Sequence, residues 1–209
     1  MDCVIIVGAG GFGREAYYLI QAINEIKAQY EIVGFLDDNP NALEGKKIDS
    51  PIIGRIDEWT PCGDEVYVMG IASPKIKEVI ANTLISKGAT FITLIHPAAL
   101  VNRDAIIGTG CVISGRSSIG ALAQIGNFVH VAGSMIGQDA EIGDYSTTTG
   151  YVNVTNAKLG KRVFVGSHAV VLNERKVGDD AFICAGSVVL NNIKAGTKVF
   201  GNPARKIDL

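Results

Sequence analysis

The sequence predicts two architectures in tandem, an α/β unit over residues 1–94 and a parallel β-helix of hexapeptide repeats over residues 95–209. The first prediction rests on a strand, a glycine-rich turn and a helix that follow one another at the start of the chain. The second rests on an aliphatic residue or threonine that recurs every six positions, seventeen times, with only two five-residue steps. A sustained six-residue period is typical of a parallel β-helix and fits neither an amphipathic helix nor a hairpin sheet.

The N-terminal unit opens with the short apolar run Cys3–Val7, which predicts a strand. The glycine-rich turn Gly8–Gly13 follows at once, and apolar residues at helical spacing then predict a helix that continues through Arg14. Glycines between a strand and a helix let backbone N–H groups approach a phosphate at the helix N-terminus. The alternative is that the turn only packs the helix against the strand.

The remaining N-terminal elements alternate in the same way. A second helix begins at Ser73-Pro74, where serine can cap and proline fits the first turn, and it extends to about Lys87. Further strands are predicted over residues 32–36, 65–70 and 91–95. Together these elements predict a truncated Rossmann-like domain that binds one nucleotide, because a dinucleotide site normally needs two such halves.

The acidic pair Asp37-Asp38 ends the second predicted strand. An acidic side chain at this position can meet a ribose hydroxyl in a nucleotide site. A solvated turn before Asn39-Pro40 is the other interpretation, and the residues alone leave both open.

The β-helix carries a finer period on top of the hexapeptide. Every third block begins with an aliphatic residue and glycine, at residues 107–108, 125–126, 142–143, 159–160 and 177–178. Three short strands therefore make one coil, with rungs about 4.8 Å apart and small residues at the corners, where glycine tolerates strained φ values. This stacking predicts Gln138 between Ala121 and Asn156, and His130 beneath Thr147.

Composition narrows the classes of function. A formal net charge of −2 gives no support to nucleic-acid binding. The first apolar run is too short for a signal or a membrane span. The four cysteines lack the spacing of metal ligands, so we expect no metal and reduced thiols in the cytoplasm; they are Cys3, Cys62, Cys111 and Cys184.

Several motifs in a fixed order resemble one family. They are Val4–Gly13, Gly34-Phe-Leu-Asp-Asp38, Ile95-His-Pro97, the hexapeptide array and the tail Gly201-Asn-Pro-Ala-Arg205. In this order the chain resembles bacterial sugar acetyltransferases, which include sialic acid O-acetyltransferases (NeuD-like) and UDP-amino-sugar N-acetyltransferases (PglD-like). The resemblance implies a left-handed β-helix, a homotrimer, acetyl-CoA bound between neighbouring helices, and a nucleotide-linked sugar held by the N-terminal domain.

The same resemblance implies binding residues. For the sugar nucleotide they are Gly10, Gly11, Gly13, Asp37 and Asp38. For acetyl-CoA they are Gly166, Ser167, Ala185 and Gly186 along the pantetheine, with Arg205 or Lys206 facing the 3′-phosphate. The small residues among them can equally be corner residues and nothing more.

The catalytic residues depart from the family pattern. The family's His-Asp/Glu pair falls on Gln138-Asp139, and its second histidine falls on Thr147. Glutamine has no basic lone pair and cannot take a proton at neutral pH. Asp139 is present, but the imidazole that it would orient is missing.

The chain has three histidines, and His130 is the candidate for a relocated base. It closes the block Ile125–His130, which imitates the family's second-histidine block one coil early. We interpret His96 as a structural residue of a domain joint and His168 as a solvated corner residue. His130 is predicted to act as a base or to contact the thioester; the alternative is a surface histidine without a catalytic role.

Three functions remain. The first is an acetyl-CoA-dependent O- or N-acetyltransferase that acts on a nucleotide-linked or free bacterial surface sugar. The second is a catalytically impaired relative that binds sugar nucleotides or serves as a scaffold. The third, an NAD-linked oxidoreductase, is disfavoured by the hexapeptide array.

Overall fold

A computed structural model describes residues 1–208 of the chain, so the last residue of the second predicted domain lies outside the described residues. The N-terminal part is a five-stranded parallel sheet in the order β3-β2-β1-β4-β5. Its elements are β1 Asp2–Val7, α1 Gly11–Ile26, β2 Tyr30–Leu36, β3 Ile52–Gly54, β4 Glu65–Met69, α2 Pro74–Ser86 and β5 Thr90–Phe91. The sequence does not predict β3, because three residues are too few to show an alternating pattern.

The pleat of β1 explains why helices cover both faces of this sheet. Val4 and Ile6 pack into the cluster that contains the apolar face of α1, whereas Ile5 and Val7 pack into the cluster that contains α2. Successive side chains of a strand point to opposite faces, so a strand that is apolar throughout needs a layer on each side.

The second part is a left-handed parallel β-helix. Each predicted opening residue is the second residue of a two-residue strand, which confirms the hexapeptide register. The strands are β6 Leu94–Ile95, β7 Leu100–Val101, β8 Ile106–Ile107, β9 Val112–Ile113, β10 Ser118–Ile119, β11 Gln124–Ile125, β12 His130–Val131, β13 Met135–Ile136, β14 Glu141–Ile142, β15 Thr147–Thr148, β16 Asn153–Val154, β17 Lys158–Leu159, β18 Phe164–Val165, β19 Val170–Val171, β20 Lys176–Val177, β21 Phe182–Ile183 and β22 Val188–Val189. The tail adds β23 Lys198–Phe200 and β24 Arg205–Lys206, which pair antiparallel.

The strands form three faces of a triangular prism. Face 1 contains β6, β9, β12, β15, β18, β21, β23 and β24; face 2 contains β7, β10, β13, β16, β19 and β22; face 3 contains β8, β11, β14, β17 and β20. The second residue of each two-residue strand from β6 to β22 points inward, and those from Ile113 to Val189 are almost fully buried. Each coil therefore buries its apolar column against its neighbours, as a solenoid requires.

The corners correct one prediction. Eleven non-glycine corner residues within the described part of the chain have φ between 46° and 63°, so most strained positions are not glycine. The glycine after each face-3 strand is required by close stacking instead: a Cβ on Gly143 would lie 2.5 Å from the carbonyl carbon of Gly160. Hydrogen bonds between coils, such as Phe128 N–H to Thr109 O at 2.8 Å, hold the left-handed corners in place.

The N-terminal part packs directly on the corner between faces 3 and 1. Phe128 lies between Phe91 and Tyr145, with ring centroids 5.1 and 5.3 Å away. Arg162 lies one coil beyond Tyr145 and forms an ion pair with Glu78 of α2 at 3.2 Å. The outward side chains of the first face-1 strands are therefore covered by protein. Over the described residues, the helices are too short or too polar to cross a membrane.

Candidate functional site

The glycine-rich turn has two kinds of glycine. Gly10 and Gly11 are exposed, and a Cβ on either would meet no atom within 4 Å. Gly13 is buried, and a Cβ there would collide with the carbonyl group of Gly8. Gly13 therefore allows α1 to pack on the end of β1, whereas Gly10 and Gly11 leave the helix N-terminus open to a ligand.

Both aspartates after β2 hold backbone in place. Asp37 accepts hydrogen bonds from the N–H groups of Ala9 at 2.8 Å and Asn39 at 2.9 Å. Asp38 accepts one from the N–H of Ile56 at 3.0 Å. Asp37 thus fastens the glycine-rich turn to the end of β2, at the carboxyl edge of the parallel sheet.

These residues surround an open cleft of about 430 Å³. Its walls include Gly10, Gly11, Asp37, Asp38 and Ile76. The structure therefore brings together four of the five residues predicted to bind the sugar nucleotide, and places Gly13 beneath them as a packing residue.

Phe12 connects this cleft to the β-helix. Its ring stacks on the imidazole of His130, with centroids 5.3 Å apart and planes 13° apart. A second cavity of about 350 Å³ lies between the start of α1 and the corner of faces 1 and 2. Phe12 lines both spaces, and the second is also lined by Glu15, Arg116, His130, Thr149 and Tyr151.

His130 is buried, so the expectation of a surface histidine is wrong. The side chain faces outward from β12, but Phe12 and the N-terminal part cover it and leave it 2% exposed. Burial lowers the pKa of the imidazole well below its ordinary value, and the Lys77 ammonium lowers it further. Over the described residues neither ring nitrogen of His130 has a hydrogen-bond partner. The Met69 backbone lies near the ring, without the geometry of a hydrogen bond, and acts to raise the pKa of the imidazole.

Lys77 is a polar residue of this region that the sequence analysis missed. It is fully buried on α2, and its Nζ donates to Thr147 Oγ1 at 2.9 Å and to the Ser146 carbonyl at 3.1 Å. Burial lowers the pKa of this lysine to about 7. A signal was present, because Lys77 stands at the helical spacing i, i+4, i+7 with the buried Ala81 and Leu84.

Gln138 and Asp139 lie elsewhere, exposed at the corner between faces 2 and 3. The predicted column is confirmed: Asp139 N–H donates to Ala121 O at 3.0 Å, and Asn156 N–H donates to Gln138 O at 2.9 Å. His130 pairs with Thr147 on β15, also as predicted. Gln138 borders a shallow surface cleft on its own corner and lines neither cavity beside Phe12. A single chain therefore does not bring the pair to His130.

The predicted acetyl-CoA residues cluster at the corner between faces 1 and 2. The N–H of Gly186 donates to the Ser167 carbonyl at 2.8 Å, and a Cβ on Gly166 would lie 2.5 Å from the Ala185 nitrogen. Gly166 is thus required by coil stacking as well. The same corner extends to the preceding coil, where the N–H of His168 donates to the Gly150 carbonyl. Gly150 lines the His130 cavity.

Arg205 and Lys206 lie on β24, exposed at the end of the β-helix. The N–H of Ala204 donates to the Val188 carbonyl at 2.8 Å. This bond holds the tail against β22, two residues after Gly186. The small corner residues and the two cations therefore occupy the same end of the molecule.

The chain is similar in sequence to known sugar N-acetyltransferases. A family model described as the PglD N-terminal domain matches residues 3–84. GDP-perosamine N-acetyltransferase of Escherichia coli O157:H7 is 31% identical over 182 residues, covering 82% of this chain and 78% of the relative. UDP-N-acetylbacillosamine N-acetyltransferase of Bacillus subtilis strain 168 is 31% identical over 115 residues, covering 54% and 51%.

Solved structures show the same fold over the whole chain. The acetyltransferase domain of PglB from Neisseria gonorrhoeae FA1090 matches with a TM-score of 0.89 and 24% identity, covering 99% of this chain and 100% of that one. PerB from Caulobacter crescentus, in complex with CoA and GDP-perosamine, matches with a TM-score of 0.80 and 20% identity, covering 100% and 98%. The fold and the site define a hexapeptide-repeat acyltransferase. The chain belongs to the PglD-like family of acetyl-CoA-dependent sugar acetyltransferases.

Proposed function

We propose that this protein transfers an acetyl group from acetyl-CoA to an amino group of a nucleotide-linked sugar. The observation that carries the proposal is the stack of Phe12 on His130, which places an unpaired, neutral imidazole next to the nucleotide-binding turn. The relatives of known activity are named as N-acetyltransferases of GDP- and UDP-linked sugars, which supports amine over hydroxyl as the acceptor.

The acceptor would bind through its diphosphate at the N-terminus of α1. The open N–H groups around Gly10 and Gly11 and the positive end of the helix dipole favour an anion there. Asp37 and Asp38 border the same cleft and are placed to meet the nucleoside. The sugar then extends past Phe12 into the His130 cavity.

Acetyl-CoA would lie along the corner between faces 1 and 2. Its pantetheine would follow the small residues Gly166, Ser167, Ala185 and Gly186, and its 3′-phosphate would meet Arg205 or Lys206. This course leads from the end of the β-helix toward the cavity at His130.

We further propose a homotrimer in which a neighbouring subunit supplies Gln138 and Asp139. The pair lies at a different corner from His130, so only a second copy can bring it to the acceptor. Face 2 presents exposed apolar side chains to such a copy, since Leu100 is 74% exposed and Met135 54%. A surface that repeats around a three-fold axis closes into a ring.

The chemistry needs one proton acceptor. The amine nitrogen attacks the thioester carbonyl, forming the C–N bond; the C–S bond then breaks and the CoA thiolate leaves. His130 takes the proton that the amine loses and returns it to the leaving thiolate. Backbone N–H groups at the corner stabilise the oxyanion, and Gln138 positions the acceptor by a hydrogen bond without taking a proton.

The test is release of CoA thiol from acetyl-CoA with GDP- and UDP-linked amino sugars. We place the reaction in the cytoplasm, where free cysteines such as those of this chain stay reduced. We expect acceptor-dependent thiol release and an acetylated sugar by mass spectrometry. Binding of nucleotide sugar and acetyl-CoA without thiol release would instead establish the catalytically impaired alternative.

A further inference from the structure

Lys77 is a buried lysine whose hydrogen-bond partners are a hydroxyl and a carbonyl. Its Nζ contacts Thr147 Oγ1 and the Ser146 carbonyl, and no ion pair to an acid is formed within residues 1–208. A lysine costs several kcal/mol to bury in the charged form, so a long aliphatic residue would be more stable here. The presence of lysine at position 77 is therefore better explained by the effect of its amino group on neighbouring side chains.

The neighbour that matters chemically is His130. Thr147 pairs with His130 across β12 and β15, so their side chains stand next to each other on face 1. The Thr147 hydroxyl accepts from Lys77 and donates to the Ala72 carbonyl at 2.7 Å, which fixes its direction. These hydrogen bonds and the strand pairing join β12 and β15 to α2 and to the loop that precedes α2, next to the imidazole.

We propose that Lys77 is a positioning residue for acyl transfer, and that it acts on His130 through Thr147 and through its own charge. The inference rests on the proposed function, because it concerns the base of that reaction. Lys77 lines neither cavity beside Phe12, so it is not placed to touch a substrate bound there. Its effect is to keep the imidazole in the form that can accept a proton.

Among the groups around His130 and Lys77, the Lys77 ammonium is the charge that acts on the pKa of the imidazole. Lys77 lowers the pKa of His130, and the Met69 backbone is the neighbour that opposes it. Cys111 faces Lys77, but burial raises the pKa of its thiol to about 11, so it supplies no negative charge at neutral pH. Below pH 7 the ammonium of Lys77 is charged and disfavours the imidazolium, which extends the pH range over which His130 is a base.

The test compares Lys77→Met with Lys75→Met, a control on the same helix whose side chain is 76% exposed. The pH dependence of kcat/KM is measured for both, and the His130 imidazole is titrated by NMR of labelled protein. We expect Lys77→Met to move the acid limb of kcat/KM and the NMR pKa of His130 upward by about one unit, and Lys75→Met to move neither. An unchanged His130 pKa in folded Lys77→Met overturns the inference.

Titration of the wild-type protein provides a second measurement. If Lys77→Met does not fold, wild type is titrated instead, and the His130 signals must then show a second inflection near pH 7 as Lys77 changes charge; a single inflection contradicts the proposal. The NMR titration needs no turnover. A wild-type protein that lacks activity but shows the coupled titration therefore refutes the proposed function without refuting the link between Lys77 and His130.

Discussion

The imidazole of His130 lies nearly parallel to the ring of Phe12, at a centroid distance of 5.3 Å, although the two residues belong to separate parts of the fold. Phe12 is the one large side chain of the glycine-rich turn, and His130 is the outward residue of β12. Their contact joins the glycine-rich turn to the β-helix. It also removes the imidazole from water, which sets its protonation state.

Replacing His130 with alanine should lower kcat by at least about tenfold, because a general base typically contributes 10²–10⁴-fold. His96→Ala is the histidine control, since His96 lines neither cavity beside Phe12. Steady-state thiol release measures both. Equal activity of the two variants would show that His130 is not the base.

Replacing Gly11 with valine should abolish nucleotide-sugar binding and leave the fold intact, because its Cβ meets no protein atom within 4 Å but stands where a phosphate would approach. Gly13→Ala should instead lower the free energy of unfolding by about 2 kcal/mol, since its Cβ collides with the Gly8 carbonyl. Calorimetry and thermal denaturation separate the two effects. Tight binding of NADH together with none of GDP- or UDP-sugars would contradict a single-nucleotide site.

The protein should be a trimer in solution, with a light-scattering mass three times the 22.0 kDa of one chain. Met135→Asp should dissociate it, because a carboxylate would be buried on face 2 without a partner. Val79→Asp, at a similarly exposed position on α2, serves as control. A monomer mass for wild type at micromolar concentration would refute both the trimer and the shared site.

Gln138→His should raise kcat if a neighbouring subunit presents this corner to the acceptor, because it restores a group that can take a proton. The gain should disappear in the Met135→Asp background, where the subunits separate. A gain that persists in monomers would place the acceptor on a single chain.

The buried amine of Lys77 predicts how stability depends on pH. Its pKa falls from 10.5 in the unfolded chain to about 7 in the folded protein, so below pH 7 both states are protonated and the cost of burying the charge is fully present. That cost falls as the pH rises from 7 toward 10.5. Between pH 7 and 9 the free energy of unfolding of wild type should therefore increase by about 2.5 kcal/mol relative to Lys77→Met. Urea denaturation at both pH values measures the difference, and parallel behaviour of the two proteins would contradict it.

Much of the fold follows from local patterns. The hexapeptide period places every inward residue of the β-helix, because a two-residue strand and a tight corner leave one register in which the apolar column is buried. The strand, glycine-rich turn and helix at the start of the chain likewise predict one wall of the cleft beside Gly10 and Gly11 from neighbouring residues. Gly13 and Gly143 show the limit of such patterns. The sequence shows that both residues are glycine, but only the structure shows that a close contact with other backbone, and not a positive φ, excludes a side chain there.

The sequence by itself determined the order of the two folds and the register of the coils. The tertiary structure alone decided which outward residues of face 1 are solvated. His130 and Phe182 have equivalent strand positions, yet the first is 2% exposed and the second 37%, because the N-terminal part covers only the lower coils. Burial, and with it the pKa of His130 and of Lys77, depends on contacts between residues far apart in the sequence; Lys77 and Ser146, for example, are 69 positions apart. No local period records such contacts, since they arise when two independently patterned units pack together.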